Sequence, residues 1–469
     1  MKAYKILIFI FAILTTLGVV CYFYPADGIT IGKTNVRFVS LNDVLTGGEP
    51  ELPEVEIKKE DTVDYKYLEA CQSFEDSLEK MEVALMEREG NFYFPNDDVT
   101  YFNKVFAAME AARGKGEILR VLHYGDSQIE MDRISGDMRS FFQRQFGGGG
   151  PGMVPFIQTV ASCAVNQSSS GNATLYTTYG EGSRCNGNYG IMAKCYRMAG
   201  GAYFNASATR NSGADARVKR FSDIKVLYNN RAGNFSAVLK ANGRRDTCQG
   251  AALGIHCCRW HLDSACTSLN ISFNGSADIY GIMLDDGPGV AVDNIPMRGS
   301  AGDVFTKITD TLLTSCYKQA NVGLIILQYG GNAVPSISSE KGVDYVCSNI
   351  EKQIRYLRRC YPQATLLFIG PSDMSTKHNG KLRTYPLLPK LIDKLKSTCL
   401  NNGVAFWDIY EVMGGENSMI AWVKNGLAGP DYIHFTPAGA RKVGKTLTNN
   451  FEAMYEYYKV KKNPPKPSK

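Results

Sequence analysis

The sequence predicts an α/β protein: a parallel sheet covered on both faces by helices, interrupted by a β-rich segment. Three observations carry this. Short apolar runs alternate with helical spacing around residues 118–146 and again after residue 279, the signature of a sheet with crossover helices. Between these stretches the composition turns to Ser, Thr, Asn, Gly and Tyr, in short alternating segments. The 469 residues are enough for two or more cores.

At the N-terminus Lys2 and Lys5 precede an apolar run from Ile6 to Tyr24. About 20 apolar residues span a bilayer, and positive charge before the run keeps that end cytoplasmic and sends the rest outward. Cys21 follows Val20, where a lipoprotein site expects a small residue. Residues 1–26 therefore read as a membrane anchor or signal segment, which places the protein in the cell envelope, periplasmic or otherwise outside the cytoplasm. Residues 27–117 read as a tether followed by helices. The tether, with Glu49-Pro-Glu-Leu-Pro-Glu54, is expected to be irregular, and the spacing predicts helices over 64–89 and 98–113.

Ile118–Tyr124 suits a buried parallel strand. Gly125-Asp126-Ser127 turns the chain, and 128–146 has helical spacing. Residues 118–150 are thus the first part of the α/β domain. Residues 151–278 form the inserted segment, whose stretches such as Ile224–Tyr228 and Phe235–Lys240 predict a β-sandwich. Residues 279–457 complete the α/β domain: strands at 279–284, 322–327, 365–369 and 404–407, helices at 304–319, 341–360, 384–402 and 437–457. The basic end, 458–469, reads as a disordered tail. Seven of the 13 cysteines lie between Cys163 and Cys266, which outside the cytoplasm predicts local disulfides.

Four blocks carry the chemistry. Ser127 sits on a tight turn between a strand and a helix, where a nucleophile is exposed. Of the five histidines, only His434 has an aspartate three residues earlier, Asp431. That spacing lets the carboxylate reach Nδ1 and leaves Nε2 for the serine. Asn332, in Gln328-Tyr-Gly-Gly-Asn332, follows a strand and offers an amide donor. Gly302, in Arg298-Gly299-Ser-Ala-Gly302, offers a backbone N–H, with Gly299 as its substitute.

In this order the blocks resemble the SGNH (GDSL-type) serine hydrolases. The resemblance covers about 118–150 and 279–457. It implies a three-layer α/β/α catalytic domain with Ser127 as nucleophile, His434 as general base and Asp431 as its orienting partner. Ser127 N–H, Gly302 N–H and the Asn332 side chain would form the oxyanion hole, with no cofactor and no metal. Ala333 stands where many members carry Asp. The long insertion resembles peptidoglycan and polysaccharide O-acetylesterases of the family, with a β domain of carbohydrate-binding type. The implied activity is removal of O-acetyl groups from an acetylated glycan. Two alternatives stay open: an O-acetyltransferase with the same triad beside a membrane acyltransferase partner, and a non-catalytic glycan-binding protein.

Other readings are weaker. The net charge of +6 is spread over interleaved acids and bases, which argues against nucleic acid. Gly439-Ala-Arg-Lys-Val-Gly444-Lys445-Thr446 matches the P-loop pattern but lies inside a helix that starts at Pro437, with no strand before it. His256-Cys257-Cys258-Arg-Trp-His261 favours disulfide over zinc chemistry. His123, inside a buried strand, reads as a core histidine. Asn166, Asn172, Asn205, Asn234, Asn270 and Asn274 stand in N-x-S/T sequons.

Overall fold

A computed structural model describes residues 3–25, 27–32, 34–38, 40, 65–88, 90–250 and 252–466. The stretch 49–54 and residues 467–469 of the expected tail lie outside them. The chain divides into two units, 1–66 with 467–469, and Tyr67–Lys466. In the first, α1 (Ala3–Phe23) is a single helix. Its segment Tyr4–Phe23 is long and apolar enough to cross a membrane, with mean hydropathy 2.6. The strands β1 (Ile29–Ile31) and β2 (Thr34–Val36) then pair as a hairpin, so this part of the expected irregular arm is ordered.

The helix α2 (Tyr65–Met86) lies in the second unit from Tyr67 onward, and β3 (Phe92–Tyr93) and α3 (Asn103–Gly114) then lead into β4 (Ile118–Gly125). Every residue of β4 is buried, which accounts for its unbroken apolar character. The helix expected from 128 starts late. A 3-10 turn over Ser127–Asp132 comes first, with Met131 and Asp132 at φ 61° and 57°, and α4 begins at Ser135 and ends at Phe146. The Arg133 guanidinium holds this turn by donating to the carbonyl oxygens of Ser127 and Glu130 at 2.6 and 2.9 Å.

The β-rich region contains β5 (Gly152–Val154), β6 (Val165–Thr177), β7 (Lys194–Ala208), β8 (Phe221–Asn230), β9 (Phe235–Ala241), β10 (Arg244–Gly250), β11 (Gly254–Cys266), β12 (Ser268–Asn274) and β13 (Ser276–Asp285). They form one continuous antiparallel sheet, ordered β10-β9-β12-β7-β13-β8-β11, with β5 on β13 and β6 on β7. The disulfide Cys248–Cys258 joins β10 to β11, the two ends of that path. The sheet thereby curls over a core that includes Phe156, Tyr196, Phe204 and Phe273.

The run Ile279–Leu284 was expected in the parallel sheet. It belongs instead to β13, so the expected boundary at 278 cuts a strand of the antiparallel sheet. The physical reason is that β13 is buried on both faces. Ile279, Ile282 and Leu284 point into the β core, while Tyr280 and Met283 point into a core shared with the parallel sheet. A strand between two cores is apolar throughout, as a parallel strand is.

The chain continues through β14 (Gly289–Pro296), α5 (Asp310–Ala320), β15 (Val322–Gln328), α6 (Glu340–Cys360) and β16 (Thr365–Ile369). After the hairpin β17 (Ser375–His378) and β18 (Lys381–Thr384) come α7 (Leu388–Asn401), β19 (Ala405–Trp407), α8 (Ile409–Met413), α9 (Ser418–Lys424) and α10 (Pro437–Lys462). The parallel sheet is ordered β14-β4-β15-β16-β19, with β3 antiparallel at its edge. Leu122, Tyr124, Ile325 and Leu327 pack with α5, α6 and α7 on one face. Val121, Leu324 and Ile326 pack with α3, α4 and α10 on the other. The strand β14 had no signal in the sequence, because Asp293 and Asn294 interrupt its apolar run. The expected tail is also partly helical. Residues 458–462 continue α10, and Lys461 and Lys462 pair with Glu82 and Glu110.

Numbered along the chain, the parallel strands lie in the order 2-1-3-4-5. The winding reverses between β4 and β15, and beyond the carboxyl ends of the strands at such a reversal an open crevice forms.

Candidate active site

The crevice is lined by the segments that leave β4 and β15. At the end of β4, Asp126 caps the turn: its Oδ1 accepts from Gln128 N–H at 2.9 Å. This leaves Ser127 half-buried at the turn's first position. Ser127 Oγ lies 2.8 Å from His434 Nε2. His434 Nδ1 lies 2.7 Å from Asp431 Oδ2. The two residues between Asp431 and His434 form a tight loop, with Tyr432 at φ 57°. The other oxygen, Asp431 Oδ1, accepts from the backbone N–H groups of Ile433 and His434, both at 3.1 Å. Partial burial would raise the Asp431 carboxyl. The hydrogen bonds from His434 and from the loop backbone outweigh that and hold it below its ordinary value. The arrangement can move a proton from the serine hydroxyl to the imidazole while the carboxylate steadies the resulting positive charge.

A cavity of about 530 Å³ is lined by Ser127 and His434. Asn332 lines it, and its Nδ2 donates to Asp126 Oδ2 at 3.2 Å and to Ser300 O at 3.1 Å. Gly302 does not line it. Gly302 is buried, its N–H donates to Ser300 Oγ at 3.1 Å, and a side chain there would strike Tyr329 and Ile350. Gly299, with φ 75° and open space around it, lines the cavity instead. The glycine pair was separated by packing: Gly302 closes the loop onto the core, and Gly299 stays at its tip.

Several residues of the site carried no signal in the sequence. Gln128 brackets His434: its Nε2 donates to Ile433 O at 2.7 Å, and its Oε1 accepts from Phe435 N–H at 3.3 Å. Arg133 ties the same two loops, donating to Ser127 O and to Phe435 O, the latter at 3.1 Å. Glu130, buried, holds the exposed Arg298 at the rim through two bonds of 2.6 and 2.7 Å. Asp126 is fully enclosed. Burial pushes its carboxyl up to about 6, against the hydrogen bond from Gln128 and the nearby His434 ring, which pull it down. A polar residue just after Ser127 looks like any exposed helix residue in sequence, so only the folded loops reveal these partners.

His123 is buried, with Nδ1 2.8 Å from Ser135 Oγ and Nε2 3.0 Å from Gln328 Oε1. Burial lowers its ring to about 4. In the run 256–261, Cys258 is in the disulfide and His261 Nδ1 sits 2.9 Å from Asp223.

No protein-family model matches the chain, and no curated protein matches it. Among solved structures, a peptidoglycan O-acetylesterase superposes with a TM-score of 0.61 at 20% identity, covering 78% of this chain and 98% of that one. The chain has the fold of that esterase. A family two carbohydrate esterase from Cellvibrio japonicus matches at 10% identity and a TM-score of 0.25, over 62% of this chain and 99% of its own. An acetyl xylan esterase matches at 14% identity and a TM-score of 0.27, over 34% and 80%. These two overlaps are too loose to carry an argument. At 20% identity the likeness to the peptidoglycan O-acetylesterase is one of fold.

Proposed function

We propose that the protein is an exported serine esterase that removes O-acetyl groups from a cell-envelope or other polysaccharide. The observation that carries this reading is the chain of contacts Ser127 Oγ–His434 Nε2 and His434 Nδ1–Asp431 Oδ2, at 2.8 and 2.7 Å, with Ser127 and His434 lining the crevice. The fold shared with a peptidoglycan O-acetylesterase supports the substrate class. The apolar helix α1 supports export, as a signal or a tether. In this reading the catalytic domain is three-layered, and the β-rich region is inserted between β4 and β14.

In the first half-reaction Ser127 Oγ attacks the acetyl carbonyl as His434 Nε2 takes its proton. The Ser127 N–H and the Asn332 amide, with Gly299 in the place expected for Gly302, steady the oxyanion. For this the Asn332 amide turns one proton from Asp126 or Ser300 O toward the new charge. His434 then returns the proton to the departing sugar oxygen, leaving acetyl-Ser127. Water repeats the sequence and releases acetate. The transferase alternative shares every step up to acetyl-Ser127, and product analysis with a sugar acceptor separates the two.

The test is hydrolysis of p-nitrophenyl acetate by the full chain in mild detergent. Ser127→Ala should lower kcat by roughly a thousandfold or more without altering thermal unfolding. Undiminished hydrolysis in that variant would overturn the assignment.

A further inference from the structure

The segment 178–193 joins β6 to β7 and carries Gly180, Gly182, Gly187 and Gly190. So many glycines favour neither strand nor helix, and contacts place the segment instead. Tyr124 Oη, on the strand that leads to Ser127, donates to Ile191 O at 2.6 Å. Thr309 N–H donates to Gly187 O at 2.9 Å. Tyr179 Oη donates to Pro296 O at 3.4 Å, and Lys307 Nζ to Thr178 O at 3.3 Å. The segment thus braces β4 and both ends of the loop that carries Gly299.

Two cysteines meet at the root of this segment. Cys195, near the start of β7 and opposite Tyr176, is fully buried in the core shared by the two sheets. Cys185 is half-buried and packs against the same core. Its N–H donates to Tyr189 Oη at 2.8 Å and its thiol to Asn188 O at 3.2 Å. Asn188 is itself pinned, its amide donating to Asp278 and accepting from the Tyr280 hydroxyl. The Cys195 thiol donates to the Cys185 sulfur, so the two sulfurs stand side by side. That bond holds the Cys185 thiol below its ordinary value, against burial, and the Arg197 guanidinium, tied to Asp278 at 2.9 Å, adds to the effect. Giving the bond, together with burial, holds Cys195 well above its own. The pair is therefore unequal. An accessible sulfur with thiolate character attacks a disulfide, and a thiol beside it resolves the product.

We propose that Cys185 and Cys195 are a dithiol site that oxidises to a disulfide, with Cys185 as the sulfur that meets the oxidant. The oxidant is a small or protein-borne disulfide. Cys185 gives up its proton and attacks one sulfur of that disulfide, forming a mixed disulfide and releasing the first thiol. Cys195 then gives up its proton and attacks Cys185 Sγ, and the second thiol leaves. Two protein thiols are oxidised to one disulfide, and the incoming disulfide is reduced to two thiols. The new bond closes the ring 185–195 and fastens the brace to β7. It is distinct from Cys248–Cys258 and independent of any chemistry at Ser127.

The experiment incubates the full chain, in mild detergent, with oxidised or reduced glutathione, blocks free thiols with iodoacetamide and maps tryptic peptides by mass without reduction. Arg184, Lys194 and Arg197 place the two cysteines on separate peptides, 185–194 and 195–197. Oxidised glutathione should join these two peptides, and reduced glutathione should leave both alkylated. Cys195→Ala should trap glutathione on Cys185, whereas Cys185→Ala should leave Cys195 without an adduct. In oxidised glutathione Cys185→Ala should lower the thermal midpoint by about 4 °C relative to wild type, and in reduced glutathione it should leave the midpoint unchanged. Both peptides alkylated after oxidised glutathione, or either cysteine joined to a different one, would overturn the site. A glutathione adduct on Cys195 in Cys185→Ala would overturn the order of attack. An equal change of midpoint in both buffers would overturn the fastening of the brace.

Discussion

At the scale of single residues, Gln128 does two things that no other side chain of the site does. It holds the carbonyl before His434 and the N–H after it, while its own backbone follows Ser127 directly. Gln128 thus helps to set the distance between serine and imidazole, beside Arg133, which ties the same two loops. Replacing it by the similarly sized Gln128→Leu removes both bonds and leaves Ile433 O and Phe435 N–H without that partner. The proposed reaction should then slow by roughly tenfold to a hundredfold in kcat, since small misplacements of reacting groups are costly, with KM for a small ester little changed. Gln128→Glu can still accept from Phe435 N–H and should recover part of the rate. A loss confined to KM would show that Gln128 contacts substrate instead of positioning His434.

Two motifs that suggested chemistry resolve into packing when whole elements are considered. The glycines of the P-loop match lie within α10, where close approach demands them. A methyl group at Gly439 would fall 1.9 Å from the Leu427 carbonyl oxygen, and one at Gly444 would fall 2.4 Å from Asp137 Oδ2 on α4. Gly439→Ala should lower stability by about 2 kcal/mol or more, because the clash is with backbone and cannot be relieved by a rotamer change. Leu427 also accepts from Thr436 N–H, and Gly429 N–H donates to His434 O. The same variant should therefore reduce ester hydrolysis, and wild-type-like values of both unfolding midpoint and rate would contradict this packing account. The sequons resolve similarly. Asn166 and Ser168, Asn205 and Ser207, and Asn270 and Ser272 are successive outward positions on three strands. At these three sites, polar residues at every second position spell N-x-S.

At the scale of the whole second unit, the β-rich region is not a freely hinged module. Arg120, buried in β4, pairs with Asp293 on β14 at 2.6 Å and with Asp285 on β13. One guanidinium thus ties the parallel sheet to the antiparallel one, and β13 lines the cores on both sides. Denaturant unfolding is expected to follow a single transition for both regions. Arg120→Leu strands two buried carboxylates without their cation and should cost about 3–5 kcal/mol, read as a shift of the midpoint by far-UV circular dichroism and tryptophan fluorescence alike. Two separate transitions, or a shift under about 1 kcal/mol, would show that the regions fold independently.

The sequence by itself determined the elements whose signal is local. The strands at 118, 322 and 365 are buried on both faces and apolar along their length. The turn at Ser127 follows directly from a strand end, and Asp431 and His434 lie close enough along the chain for their contact to follow from spacing. Tertiary structure decided whatever depends on partners distant in sequence. It set which strand Ile279–Leu284 joins, because a strand between two cores and a parallel strand have the same composition. It took Gly302 into the core and left Gly299 at the loop tip, because two glycines three residues apart differ only in what packs on them. It also brought Gln128 and Arg133 across to the His434 loop. Register and loop approach are properties of pairs, and a single sequence read along its length carries only one member of each pair at a time.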